Sequence, residues 1–473
     1  MVVGDISTGT DLLVVGAGPG GYVAAIRAAQ EGIDTTLVEK DAYGGTCLNE
    51  GCIPSKAYIT AADRAHDIGN AEDMGIHADP AVDMARTKAW KDDVVDQLTG
   101  GVEKLCKANG VNLVEGRAEF ASENKVRVAH GGEGQGSESV EFERAIIATG
   151  SRPTAVPFEF DGEHVVSSTG ALALDSVPER LLVVGAGYIG MELSATFAKL
   201  GADVTVVEML DSALPGYEDD ISRVVRERAE ELGVEFRFGE AADSWQETPT
   251  GLRVTTVDED DAESTFDTDL VLQAVGREPV TDTLNLEALG IETNDRGFIP
   301  TDDQCRTEVD NVFAIGDVAG EPMLAHEASK EGEVAAEVVA GEPAGLDYQA
   351  MPAVVFTDPE IATVGMTADE AAKAGFEPVT GKMPMNASGR ALTLNDTEGF
   401  VRVVADQESE FILGAQIVAP EASELVAEFA LAIEMGARLE DVASTVHTHP
   451  TLAEASMEAV MNARGEAVHT LNR

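Results

Sequence analysis

The 473 residues predict an α/β fold with two Rossmann-like domains and a C-terminal α+β interface domain. Three observations predict it. A strand, a glycine-rich turn, a helix and a second strand ending in an acid follow one another near the N-terminus. The same succession returns in mid-chain. After about residue 350 the pattern gives way to strand-like runs with interleaved helices.

The first unit begins with the apolar run Leu12 to Val15. Gly16, Gly18 and Gly21 follow, then an Ala-rich helix, then a strand from Asp34 that ends in Glu39. Each glycine has a distinct role: Gly16 allows the tight turn, Gly18 lets backbone approach a pyrophosphate at the helix N-terminus, and Gly21 allows helix to pack on strand. Glu39 is placed to accept hydrogen bonds from a ribose. A lone glycine triplet is weak evidence; strand, helix and acid in the right order make a dinucleotide fingerprint.

The second unit runs from Arg180 through Gly185, Gly187 and Gly190 and ends its second strand in Glu208. A carboxylate there suits the free ribose 2′-hydroxyl of NAD and repels the 2′-phosphate of NADP. Two fingerprints imply two dinucleotide sites and an internal repeat of fold.

Shorter apolar runs end in glycine turns at Ala145–Gly150, Leu270–Gly276 and Asn311–Gly316, the last followed by Asp317. Ligands bind past strand ends in open α/β sheets, which draws attention to Asp317. Beyond residue 350, strands are expected at 351–357, 399–404 and 412–418, and helices at 367–374 and 422–435. The expected domains are 1–150, 151–276, a central segment 277–350, and an interface module 351–473.

Composition narrows the setting. Eighty-six Asp and Glu against 32 Lys and Arg give a net charge of −54. Such a surface repels nucleic acid and anionic lipid, and neither is an expected partner. The acids are spread along the chain, as expected of a salt-adapted protein from a halophile. Asp5 and Asp11 near the N-terminus, without a basic region, argue against a signal peptide, and no apolar run reaches spanning length. A cytoplasmic location is expected.

Four cysteines exclude a disulfide scaffold. Cys47 and Cys52 follow Glu39 closely and so lie beside the first dinucleotide. In an ideal helix, Cα atoms five residues apart are roughly 8–9 Å from each other, whereas a disulfide wants about 4.4–6.8 Å. A Cys47–Cys52 bond therefore needs a distorted turn, which Gly51 and Pro54 permit. Half a metal site or two buried thiols are the competing readings; no further ligands stand nearby, and no metal is expected. Cys106 and Cys305 read as core residues. At the other end His449, beside Pro450, has Glu454 five residues on, a usable base and orienter. From spacing alone, His447 and His449 could equally be two interface histidines.

Together these motifs resemble the flavin-dependent pyridine nucleotide–disulfide oxidoreductases, and within them the dihydrolipoamide dehydrogenases, over essentially the whole chain. The run from Gly44 to Lys56, with Cys47 and Cys52, is the most specific match, and His449 to Glu454 looks like the acid–base motif. The resemblance implies FAD on the first fingerprint and NAD on the second. It implies FAD contacts at Gly16, Gly18, Gly21, Glu39, Lys40, Gly45, Thr46, Lys56, Ala118, Thr149, Gly150, Gly316, Asp317 and Ala325. For NAD it implies Gly185, Gly187, Tyr188, Ile189, Gly190, Glu192, Glu208 and Gly276. Lys56 and Glu192 resemble an ion pair at the flavin edge, and Tyr188 an aromatic shield over it. The implied reaction is oxidation of dihydrolipoamide, free or on a lipoyl protein. Cys47 exchanges with substrate, Cys52 faces the flavin, and His449 with Glu454 manages the proton. A homodimer with shared sites is implied, as is a 2-oxoacid dehydrogenase or glycine cleavage complex. Glutathione-type reductases would want basic residues around Glu208. Mercuric and large thioredoxin reductases need cysteines beyond Cys305, and none follows. Glu327 stands where many relatives carry Lys.

Self-repulsion at −54 is screened by salt. Thermal unfolding midpoint and activity are expected to rise with KCl up to molar levels; full stability at about 20 mM salt would contradict the salt-adapted reading.

Overall fold

The computed structural model describes residues 7–131 and 136–472; Asp5 lies outside them. Strand Ser7–Val15 turns at Gly16 into helix α1 (Pro19–Gln30), and strand Thr35–Glu39 follows. Two helices come next, the short α2 (Gly45–Asn49) and the long α3 (Cys52–Gly69). Ser7–Val15 lies between Thr35–Glu39 and Ser137–Ile147, parallel to both. Leu12 to Val15 are all buried, as a parallel strand covered on both faces demands. Gly16 has φ +100°, and a Cβ on it would stand 2.3 Å from the Ala148 carbonyl oxygen. A Cβ on Gly21 would meet the Gly16 oxygen at 1.8 Å, so the packing role read for Gly21 is geometrically enforced.

The second unit repeats the first. Strand Arg180–Val184, helix α4 (Tyr188–Lys199) and strand Asp203–Glu208 follow in order. They belong to an all-parallel five-stranded sheet that includes Leu270–Gln273 and Val165–Val166. Gly185 has φ +102°, and a Cβ on Gly190 would lie 2.0 Å from its oxygen. A three-stranded antiparallel sheet spanning Glu240–Thr248, Gly251–Asp258 and Glu263–Thr268 was not evident from the sequence. The unit is entered and left through one small ladder, Ser151–Pro153 against Arg277–Pro279.

The chain then returns to the first sheet. Strand Val312–Ala314 pairs in parallel with the end of Ser137–Ile147. Helix α5 (Ala325–Ala340) lies against α1 so closely that a Cβ on Gly332 would stand 2.5 Å from the Gly20 oxygen. This return sets Gly316 and Asp317 beside the first glycine turn.

The C-terminal region is a five-stranded antiparallel sheet with helices, ending in α6 (Glu454–Ala463). The three expected strands are there, as Ala353–Val355, Phe400–Asp406 and Ile412–Ala419, and the two helices as Ala368–Lys373 and Ala422–Glu434. Glu360–Gly365 and Pro378–Pro384 complete the sheet. The latter has a proline at each end and an internal Gly381, which hide it from pattern reading. It occupies a sheet edge, where proline costs no ladder bond.

One ion cluster around the buried Lys199 ties the regions together. Lys199 Nζ, at the end of α4, is 2.7 Å from Asp63 of α3 and 2.7 Å from Asp358 of the C-terminal region, and its side chain is 5% exposed. Arg228 adds a contact to Asp358 at 3.3 Å. Removing one member of a buried ion set leaves uncompensated charge. Lys199→Met is expected to destabilise the protein, by less than the roughly 3–5 kcal/mol of a fully buried pair because Asp63 is partly exposed and Arg228 still faces Asp358, read as a lowered denaturant midpoint in molar KCl. An unchanged midpoint would mean the cluster contributes no net stability.

Candidate active site

A cavity of about 570 Å³ opens where the first glycine turn, α3 and the returning segment meet. Its wall includes Gly16, Gly18, Glu39, Lys40, Gly45, Thr46, Ala118, Thr149, Gly150, Gly316, Asp317 and Ala325. Gly21 is the one residue expected at the FAD site that does not reach the wall; it packs behind it. Gly18 caps α1 without a side-chain hydrogen bond, and a Cβ on it would have nothing within 4 Å. Gly18, Pro19 and Gly20 line the cavity, so the N-terminus of α1 opens onto it, the arrangement that receives a pyrophosphate. Gly187 makes the same open cap on α4.

The two acids behave alike. Glu39 accepts from the Ala17 amide at 2.7 Å and the Asp41 amide at 2.8 Å. Glu208 accepts from Ala186 at 2.7 Å and Leu210 at 2.9 Å. Backbone therefore fixes each carboxylate beside its turn. About four lone-pair sites per carboxylate leave room for a ribose hydroxyl. Both cradles fit the dinucleotides expected for them.

The cysteines stand at a break between helices. α2 ends at Asn49, Glu50 and Gly51 interrupt, and α3 starts at Cys52. A Cβ on Gly51 would lie 3.1 Å from the Thr46 oxygen, so the tight connection favours glycine. Pro54 sits in the first turn of α3, where its missing N–H costs nothing. The Cys47 and Cys52 side chains are free thiols within hydrogen-bond reach of each other. That contact holds the Cys52 thiol down at about 7, against the opposing effect of burial, with Lys56 assisting. The same contact, reinforced by burial, pushes Cys47 up. The positive end of α3 also favours charge on Cys52. Of the two sulfurs, Cys52 is therefore the one on which the thiolate is favoured.

Lys56 donates to Glu192 Oε2 at 2.8 Å, and its Nζ lies 4.5 Å from the Phe356 ring centroid. The other Glu192 oxygen accepts from the Phe356 amide at 2.8 Å. Tyr188, Ile189 and Glu192, from the first turns of α4, join the cavity wall. Gly185, Gly187, Gly190, Glu208 and Gly276 lie on the second unit, off this wall.

His449 and Glu454 form the expected pair. His449 Nδ1 is 2.9 and 3.2 Å from the two Glu454 oxygens, and the Thr451 amide donates to Glu454 at 2.9 Å. Burial opposes the Glu454 charge, but these bonds outweigh it and keep the carboxyl below its usual value. The His449 side chain is 79% exposed, and within one chain neither residue reaches the cavity wall. His447 is different: it is buried against Glu428 at 2.8 Å. Cys106 and Cys305 are buried, as expected of core residues.

Sequence reading missed Ser151, Arg277 and Phe356. Ser151 and Arg277 are on the wall, and Arg277 bonds both the hydroxyl and the carbonyl of Ser151. These two residues meet only through the ladder that closes the second unit, and no spacing rule could pair them.

Two nucleotide cradles flanking a cysteine pair define a dithiol–disulfide oxidoreductase. The family model described as pyridine nucleotide-disulphide oxidoreductase matches residues 10–332, and that of its dimerisation domain matches 351–460. The chain belongs to this family. It is 71% identical to dihydrolipoyl dehydrogenase 2 of Haloarcula marismortui, over 99% of this chain and all of that protein. It is 70% identical to the dihydrolipoyl dehydrogenase of Halobacterium salinarum over the full length of both. Among solved structures, LpdA from Mycobacterium tuberculosis superposes with a TM-score of 0.88 at 28% identity, covering 95% of this chain and 99% of that one. Among the described residues no helix is long and apolar enough to cross a membrane.

The thiol assignment has a direct readout. Ultraviolet thiolate absorbance of the reduced protein should titrate near the value of about 7 set for Cys52, with thiolate lost as pH falls below it. Cys52→Ser should abolish that step, and Lys56→Met should move it upward. A step that survives Cys52→Ser would place the charge on Cys47.

Proposed function

We propose that this chain is a dihydrolipoamide dehydrogenase, oxidising dihydrolipoamide to lipoamide and reducing NAD+ to NADH. The observation that carries the reading is the Cys47 and Cys52 pair, set across the break between α2 and α3 in the wall of the first dinucleotide cradle. Bound FAD supplies the two-electron step between the dithiol and NAD+.

In the oxidised enzyme a substrate thiolate attacks Cys47 of the Cys47–Cys52 disulfide. The S–S bond breaks and Cys52 leaves as a thiolate, in the place where the α3 N-terminus and Lys56 stabilise one. The second substrate thiol then attacks the sulfur bonded to Cys47, releasing lipoamide and leaving Cys47 reduced. His449 takes the substrate proton, and Glu454 holds its ring by Nδ1, so that Nε2 is the working nitrogen. Because His449 is exposed and off the cavity of its own chain, it serves the cysteines of a second copy. The region 351–473 is the dimer-forming module; 1–150 with 277–350 holds FAD, and 151–276 holds NAD. The acidic surface and the halophilic relatives support a cytoplasmic enzyme working in high salt. Its substrate is borne by the lipoyl protein of a 2-oxoacid dehydrogenase or glycine cleavage complex, or is free dihydrolipoamide.

NADH formation from dihydrolipoamide in molar KCl tests the reading; no activity there would overturn it. Cys47→Ser should be inactive, and His449→Gln should lose roughly 10²–10⁴-fold. Subunit sharing is tested by refolding Cys47→Ser and His449→Gln chains together. Each mixed dimer would hold one intact site, so activity should return. If mixing restores nothing, His449 acts within its own chain.

A further inference from the structure

A hydrogen-bond chain runs from the ladder that closes the second unit into the FAD cradle. Arg277 is the first residue after Gly276. Its Nε donates to the Ser151 hydroxyl at 2.8 Å, and its Nη2 donates to the Ser151 carbonyl at 2.8 Å. The Ser151 hydroxyl in turn lies 2.5 Å from Asp317 Oδ2. A guanidinium has five donors and no acceptor. The Ser151 proton therefore cannot point toward Arg277 and is directed onto Asp317. One Asp317 oxygen is thereby committed, and the other is left for the cavity.

The Asp317 turn is held from behind as well. The Gly316 amide donates to Glu331 Oε2 at 2.5 Å, from α5. Ser151 is 8% exposed, so its bonds form in a shielded setting. Tyr188 lines the same cavity as Ser151, Arg277 and Asp317, which places the chain beside the first turn of the NAD fingerprint.

We propose that Arg277 is a positioning residue that acts through the Ser151 hydroxyl to fix the orientation of Asp317 for FAD. Arg277 orients Ser151, Ser151 orients Asp317, and Asp317 presents one defined oxygen to the cofactor. The order of the FAD site thus depends on the ladder at which the NAD unit is attached. The inference rests on FAD occupying the cavity, as in the proposed function.

The test is FAD affinity of the apoprotein in molar KCl, measured by quenching of flavin fluorescence on reconstitution. Ser151→Ala and Arg277→Gln should each weaken binding roughly tenfold, the usual worth of one hydrogen bond to a charged group. Ser151→Thr, which keeps the hydroxyl, should bind like the wild type. The decisive result is the double variant. In a chain where Arg277 acts through Ser151, Arg277→Gln adds little once Ser151 is Ala, so the losses do not add. Additive losses, or full affinity in Ser151→Ala, would overturn the proposal. Should a variant apoprotein fail to fold, dissociation of FAD from the holoprotein on dilution gives the same comparison. A wild-type apoprotein that takes up no FAD would instead reject the cofactor assignment itself.

Discussion

The interruption between α2 and α3 is the constraint on which the site depends. An unbroken helix through Cys47 and Cys52 would hold the sulfurs too far apart to bond, and would bury the Cys52 amide in a helix interior. Breaking it at Glu50 and Gly51 does two things at once. It brings the thiols into contact, and it makes Cys52 the first residue of an 18-residue helix. The helix end, the Cys47 proton and Lys56 then converge on one sulfur, and two chemically identical thiols become unequal. In the proposed reaction Cys52 is the leaving thiolate and Cys47 the thiol that exchanges with substrate.

Lys56 assists that asymmetry, and its position is fixed from elsewhere in the chain. Glu192 of α4 binds Lys56 with one oxygen and the Phe356 amide with the other. A single buried carboxylate thus joins the first unit, the second unit and the C-terminal region beside the reactive sulfurs. Lys199 repeats the arrangement with opposite sign, joining Asp63 and Asp358. In a chain with 86 acids and 32 bases, Lys56 meets the buried Glu192, and the buried Lys199 meets Asp63 and Asp358.

The two nucleotide units show how closely a repeat of sequence becomes a repeat of geometry. Gly16 and Gly185 take nearly the same φ, and Gly21 and Gly190 are equally pressed onto them. Glu39 and Glu208 bind equivalent amides at 2.7 Å. What differs is the neighbourhood. The first unit receives a returning strand and helix that bring Asp317, and it is followed by the cysteines. The second receives neither.

Local features were legible in the sequence because they depend on neighbours in the chain. Glycine turns need φ and space that only glycine offers. An acid at a strand end and a thiol pair around Gly51 are set by spacing, and His449 reaches Glu454 within one turn and a helix start. Hydrophobic periodicity exposed the buried parallel strands, whereas the proline-bounded edge strand 378–384 and the half-exposed sheet of 240–268 lacked that signal. Tertiary structure decided everything that depends on which distant segments meet: Arg277 on Ser151, Ser151 on Asp317, Phe356 on Glu192, and the exposure of His449 away from its own cysteines. No pattern in the chain encodes these contacts, because a hydrogen bond depends on separation in space, and folding alone brings such residues within its reach.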